Sequence, residues 1–153
     1  MVVDEPFYAH YLKVSGVDHP GREKTLNSMS SDKVEVVEKV VFGDYSTPEV
    51  FFKNMGHHLI GVDLKILADL SNLFLVRDPK RIIASFTKVI PDITITDIGL
   101  KHQFEIMCYL RDELGKTPIV LDTGDVLENP EMMIQKLCSA LEIEFDSKML
   151  SWS

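Results

Sequence analysis

The chain has 153 residues, 45% of them hydrophobic and 26% charged, with a formal net charge of −8. This is one domain's worth of ordinary soluble composition. Its acidity excludes nucleic acid or an anionic membrane surface as the main partner, because both require a basic field. Cys108 and Cys138 have no metal-ligand spacing and read as reduced core residues. No signal peptide or apolar run of spanning length is evident. The expected compartment is therefore the cytoplasm, or an organelle after removal of a targeting segment.

Strand and helix alternate along the chain. "MVVDEP" reads as the end of a short strand, and "FYAHYLKVS" as a helix closed by Gly16. "GREKT", close to the Pro20-Gly21 breaker, reads as an ordinary loop. "SSDKVEVVEKVVFG" opens on cap-type residues and ends at Gly43, as a helix does. "EVFFKNM" is rich in strand formers, "VDLKILADL" is a short helix, and "NLFLV" suits an interior parallel strand. Pro79 then opens the helix "PKRIIASFTKVI", with Asp78 positioned to cap it. Phe104, Met107, Cys108 and Leu114 supply the expected buried face of a longer helix. "TPIVLD" is another apolar strand. Met133, Leu137, Ala140 and Leu141 mark a final amphipathic helix. Strands alternating with helices of this length predict right-handed crossovers and a central parallel sheet, a three-layer α/β/α fold.

The stretch "SNLFLVRDPKRIIASF" is the informative one. A buried strand becomes a helix at Arg77, and such junctions are where open α/β sheets bind phosphates. On that helix Ile82, Ile83, Phe86 and Ile90 take the apolar side, while Arg81, Ser85 and Lys88 line the other, in register with Asp78. Free N–H groups and the helix dipole favour an anion there, and Arg77 brings a planar fork suited to two phosphate oxygens. The alternative is that Arg77 pairs with a carboxylate while Arg81, Ser85 and Lys88 face solvent.

"LVRDPKRIIASF" resembles the 3′-phosphate-binding segment of the sulfotransferase family, with Arg-Asp-Pro followed by a serine eight residues after the arginine. "VLDTGDVLENPEMMIQKLCSALEI" is similar to that family's later strand, acidic loop and helix. "DEPFYAHYLKVSGVDHPGRE" is similar to its plant and microbial sulfotransferase-like branch. The resemblance implies a P-loop-type α/β domain over residues 1–153, present in part. It implies 3′-phosphoadenosine 5′-phosphosulfate (PAPS) as co-substrate, with Arg77 and Ser85 on the 3′-phosphate; Arg81, on the same polar stripe, is a further candidate for cofactor binding.

Sulfuryl transfer needs in-line placement, cations on the oxygens and a base for the acceptor. The resemblance gives Lys53, at the end of an apolar strand, the cationic role. His57, followed by His58 in "FFKNMGHH", is one candidate base, and Glu5 is the other. Plain alternatives are a solvated lysine, surface histidines, and Asp4 with Glu5 capping the helix that starts at Pro6. Adjacent histidines rarely face one ion, so no metal is expected. The expected acceptor is a small molecule or carbohydrate bearing a hydroxyl or amine.

The family's glycine-rich phosphate loop has no counterpart here, since "GREKT" keeps a Lys24-Thr25 pair without the surrounding glycines. Residues 1–153 are then an internal piece, a shortened product or a divergent member. An inactive binding or assembly module of the same fold is the competing reading, and an open sheet could pair edge to edge into a homo-oligomer. "IVLDTGD" also resembles the Asp-Thr-Gly signature of retroviral-type aspartic proteases, although helical patterns crowd both its sides.

Overall fold

The computed structural model describes residues 1–87 and 98–151. The chain divides into two compact units. Unit 1 is Met1–Ile66 with Gly99–Ile106, and unit 2 is Leu67–Ile98 with Met107–Ser153.

Unit 1 begins with strand β1 (Val2–Asp4), which pairs in parallel with β2 (Phe51–Lys53); Asp4 is the register partner of Lys53. Parallel strands cannot be joined by a tight hairpin. The intervening chain makes helices α1 (Tyr8–Ser15), α2 (Arg22–Ser28) and α3 (Lys33–Val36). Phe7, Ala9 and Leu12 around α1, together with Val36, Val41 and Val62, are buried and supply the apolar core of this unit. Gly16 stops α1 in the left-handed region, φ 67°, and donates to the Leu12 carbonyl. Asp32 caps α3 by accepting from the amides of Val34 and Glu35.

The expected helix over "SSDKVEVVEKVVFG" changes character part-way, because Val37–Val41 winds as a π-helix. This wider turn brings the Lys39 carbonyl against Gly43, where an added Cβ would collide with backbone. The loop expected at "GREKT" is also corrected. Gly21, at φ 80°, turns the chain sharply, and the good helix formers after it make α2.

Unit 2 holds β3 (Leu73–Val76) and β4 (Ile119–Asp122), also parallel, with Val76 opposite Asp122. Helix α4 (Pro79–Phe86) follows β3. Helix α5 (Leu100–Asp112) runs from the residues of unit 1 into those of unit 2, and α6 (Thr123–Glu128) and α7 (Pro130–Ala140) follow β4. The remainder of the helix expected over "PKRIIASFTKVI", including Lys88 and Ile90, lies outside the described residues. Among the described residues of this unit, Leu67, Phe74, Leu110, Leu121 and Cys138 are buried and apolar. Both cysteines are free thiols. Lys116 Nζ donates to the carbonyls of Leu70 (3.2 Å), Leu67 and Ala68, and the Ile119 amide donates to Asn72 (3.0 Å).

The face assigned to α5 is corrected. Phe104 is 65% exposed, whereas Ile106 (8%) and Leu110 (0%) are buried. The helix carries apolar residues on more than one side, and its spacing alone does not say which side meets the core. The segment after Asp122, expected as an acidic loop, is instead the short helix α6.

The structure is thus of α/β kind, with helices connecting small parallel sheets. Gly43→Ala should destabilise the chain by about 1–3 kcal/mol, because the methyl meets unyielding backbone. Urea unfolding checks this; an unchanged midpoint would show that the π-helix adjusts freely.

Candidate functional site

In a parallel pair, the loops that leave the carboxyl ends of both strands share one edge, and open α/β sheets bind ligands there. In unit 1 that edge carries Asp4, Glu5 and Lys53. Lys53 Nζ donates to Asp4 Oδ1 and to Glu5 Oε1, both at 2.9 Å. The side chains of Asp4 and Lys53 are exposed, and that of Glu5 is half-buried. The two hydrogen bonds, to Glu5 first and Asp4 second, raise the Lys53 ammonium above its ordinary range, so it stays charged.

Glu5 reaches Lys53 through an uncommon backbone. Its φ is 48°, rare for a residue other than glycine, asparagine or aspartate. Its amide donates to the Lys53 carbonyl at 2.7 Å, and its carbonyl accepts from Tyr8 at 2.9 Å. The capping alternative for Asp4 and Glu5 is not realised. Helix α1 begins at Tyr8, has no side-chain cap and has no acidic residue in its first turn. Both carboxylates go to the lysine instead.

His57 and His58 follow β2 in a 3-10 turn, Gly56–Leu59. Sequence reading treated them as a pair, but the structure separates their environments. His58 is only 2% exposed, stacked on Tyr8 (5.0 Å, 23°) and tilted against Tyr11 (5.0 Å). Burial, then His57 and Lys53, push its pKa from 6.5 down to about 3, so it is neutral. His57 lies edge-on to Tyr11 at 4.8 Å and to His102 at 6.2 Å. Tyr8 also hydrogen-bonds His19 Nδ1 at 2.6 Å. Burial and then Glu5 raise the Tyr8 phenol above its usual range. This aromatic wall was missed from sequence. Its signal was the pairing of Tyr8 and Tyr11 at i, i+3 on one helix face.

In unit 2 the corresponding edge carries Arg77 and Asp78 after β3, with Asp122 ending β4 beside Val76. Asp78 caps α4 by accepting from the Lys80 amide at 2.8 Å, and Pro79 occupies the first turn. The Asp78 carbonyl takes the Arg81 and Ile82 amides (2.9 and 3.1 Å). The first amides of α4 are therefore already engaged, and an anion here would rely on side chains. Arg77, Arg81 and Ser85 are exposed, and neither arginine forms an ion pair among the described residues. The pairing expected as the alternative for Arg77 is thus absent there. Asp122 accepts from the Gly124 amide at 2.6 Å and caps α6. A helix cap at the end of a parallel strand is not the β-loop of an aspartic protease, so that reading is discarded.

The sulfotransferase-domain family matches residues 1–153 of the chain. The chain belongs to that family. Two Arabidopsis thaliana proteins, named branched-chain-amino-acid aminotransferase-like protein 2 and protein 1, are 32% and 34% identical to it over 152 residues, 99% of this chain. The chain spans 27% of the length of each of these curated relatives. No solved structure matches it. Among the described residues this sulfotransferase-domain chain has no helix long and apolar enough to cross a membrane. They also show no group of three or more His, Cys, Asp or Glu placed to hold a metal ion.

His58 makes stability pH-dependent in one direction. Folded, it takes a proton only near pH 3; unfolded, near 6.5. The unfolded chain binds more protons between those values, so this contribution is complete above 6.5 and is lost as pH falls toward 3. His58→Phe should therefore lose less stability than the unmodified chain between pH 7 and pH 4.5, measured by urea unfolding. Equal losses would show that His58 does not couple folding to acid.

Proposed function

We propose that the complete protein transfers a sulfuryl group from PAPS to a hydroxyl or amine on a small molecule or carbohydrate. The observation that carries this is the Arg77-Asp78-Pro79 junction. Exposed Arg77 stands at the carboxyl edge of a parallel pair and exposed Arg81 and Ser85 follow along α4, in a chain matched to the family over its whole length. These groups fit a phosphate: a planar guanidinium offers two parallel donors, Arg81 adds positive charge, and Ser85 offers a hydroxyl. In this reading Arg77 and Ser85 hold the 3′-phosphate.

PAPS supplies the activated sulfuryl group. Lys53 balances negative charge on the transferring oxygens, as a fixed cation does at a developing charge. Glu5, hydrogen-bonded to that lysine at 2.9 Å, is the favoured acceptor of the substrate's proton, with His57 as the second candidate. The full fold in this reading is the three-layer P-loop type. The acidic chain, at net charge −8, suits small substrates in the cytoplasm or an organelle interior better than nucleic acid. The aminotransferase-like names of the relatives refer to much longer chains, and nothing in the residues above corresponds to them.

Titration calorimetry with adenosine 3′,5′-bisphosphate tests the reading. The unmodified chain should bind at micromolar concentration. Arg77→Ala should weaken binding by roughly ten- to a hundredfold, the worth of one or two charge-assisted hydrogen bonds. Absence of binding to the folded chain would leave a non-catalytic module of the same fold as the better account.

A further inference from the structure

Lys53 is the cation that the proposed chemistry needs, yet its ammonium is already spoken for. Asp4 Oδ1 and Glu5 Oε1 both accept from it at 2.9 Å. The arrangement is built into the fold. Asp4 and Lys53 face each other in the β1–β2 register, and the left-handed backbone of Glu5 places a second carboxylate on the same nitrogen. Two carboxylates against one ammonium leave this edge with a net charge of −1. His58, the nearby group whose charged form Lys53 opposes, contributes nothing because it is neutral. Such an edge repels a free inorganic anion even though a lysine stands on it.

We propose that Lys53 exchanges partners. Without ligand it is held by Asp4 and Glu5; with ligand it passes to an oxyanion, and the exchange frees the Glu5 carboxylate. The inference rests on the reading of Lys53 as the cation for the transferring group. It adds a selection step: an oxyanion wins the lysine only if it outcompetes two carboxylates already in place. Small free sulfate or phosphate, lacking other contacts, loses that competition. A larger donor anchored through the rest of its structure spends part of its binding energy on the exchange. The freed Glu5 oxygen is then available to accept a hydrogen from the incoming acceptor, so proton acceptance becomes conditional on the anion being present. Each side chain at this edge is partly exposed to water, which keeps the exchange low in cost.

The probe is inorganic sulfate, titrated calorimetrically at low ionic strength into the full chain and its variants, with circular dichroism confirming the fold. Asp4→Asn and Glu5→Gln each remove one competing charge without changing shape. Each should tighten sulfate binding by roughly five- to tenfold, as expected for one charge a few ångströms away near a wet surface. Adding Lys53→Met to either variant should abolish the gain. Unchanged sulfate binding, or none in any variant, would overturn the exchange. So would a gain that survives Lys53→Met. The nucleotide test at Arg77 reads a different ligand and a different residue. A sulfate gain without bisphosphate binding would sustain the exchange and sink the sulfotransfer reading. The converse would do the reverse.

Discussion

The parallel pairing of the strands constrains everything else. An antiparallel pair can close with a two-residue turn, whereas β1 with β2 and β3 with β4 each require a crossover. Each crossover supplies helices, and each strand ends on the same side as its partner. The chemistry-bearing residues collect at those carboxyl edges for that reason: Asp4, Glu5 and Lys53 in unit 1, Arg77 and Asp78 with Asp122 in unit 2. Asp4 acquires a partner 49 positions away through strand register, and Glu5, just past the strand, reaches the same lysine 48 positions away through its left-handed backbone.

The two edges treat charge in opposite ways. At Arg77 and Arg81 the guanidinium groups are exposed and unpaired among the described residues, so their donors are available at no cost in broken contacts. At Lys53 the charge is compensated twice over. His58, behind that second edge, behaves more as packing than as an ionisable group. A buried imidazole packed against Tyr8 and Tyr11 avoids the desolvation cost of a charge only by staying neutral.

Strand positions and the cap at Asp78 were legible because they rest on local rules: continuous apolar runs, a capping side chain and a proline in the first turn. The family was legible from the Arg-Asp-Pro segment for the same reason. What escaped was whatever depends on residues distant in sequence. No local rule pairs Lys53 with Glu5 rather than leaving Glu5 to cap α1. Nor does helical spacing choose Ile106 and Leu110 over Phe104 as the buried side of α5. The π-helix at Val37–Val41 was hidden too, because "VEVVEKVVFG" carries apolar residues at both helical and wider spacings. The helix of "GREKT" was obscured by its neighbours, where Pro20 and Gly21 dominate the local signal.

Lys116 has a consequence for how this chain tolerates change. Its ammonium clasps three carbonyls just ahead of β3, and the Ile119 amide bonds Asn72 beside them. The chain just ahead of β4 is thereby fastened to the chain just ahead of β3. A change at Lys116 therefore reaches the start of β3 as well as that of β4, although no chemistry is proposed for it.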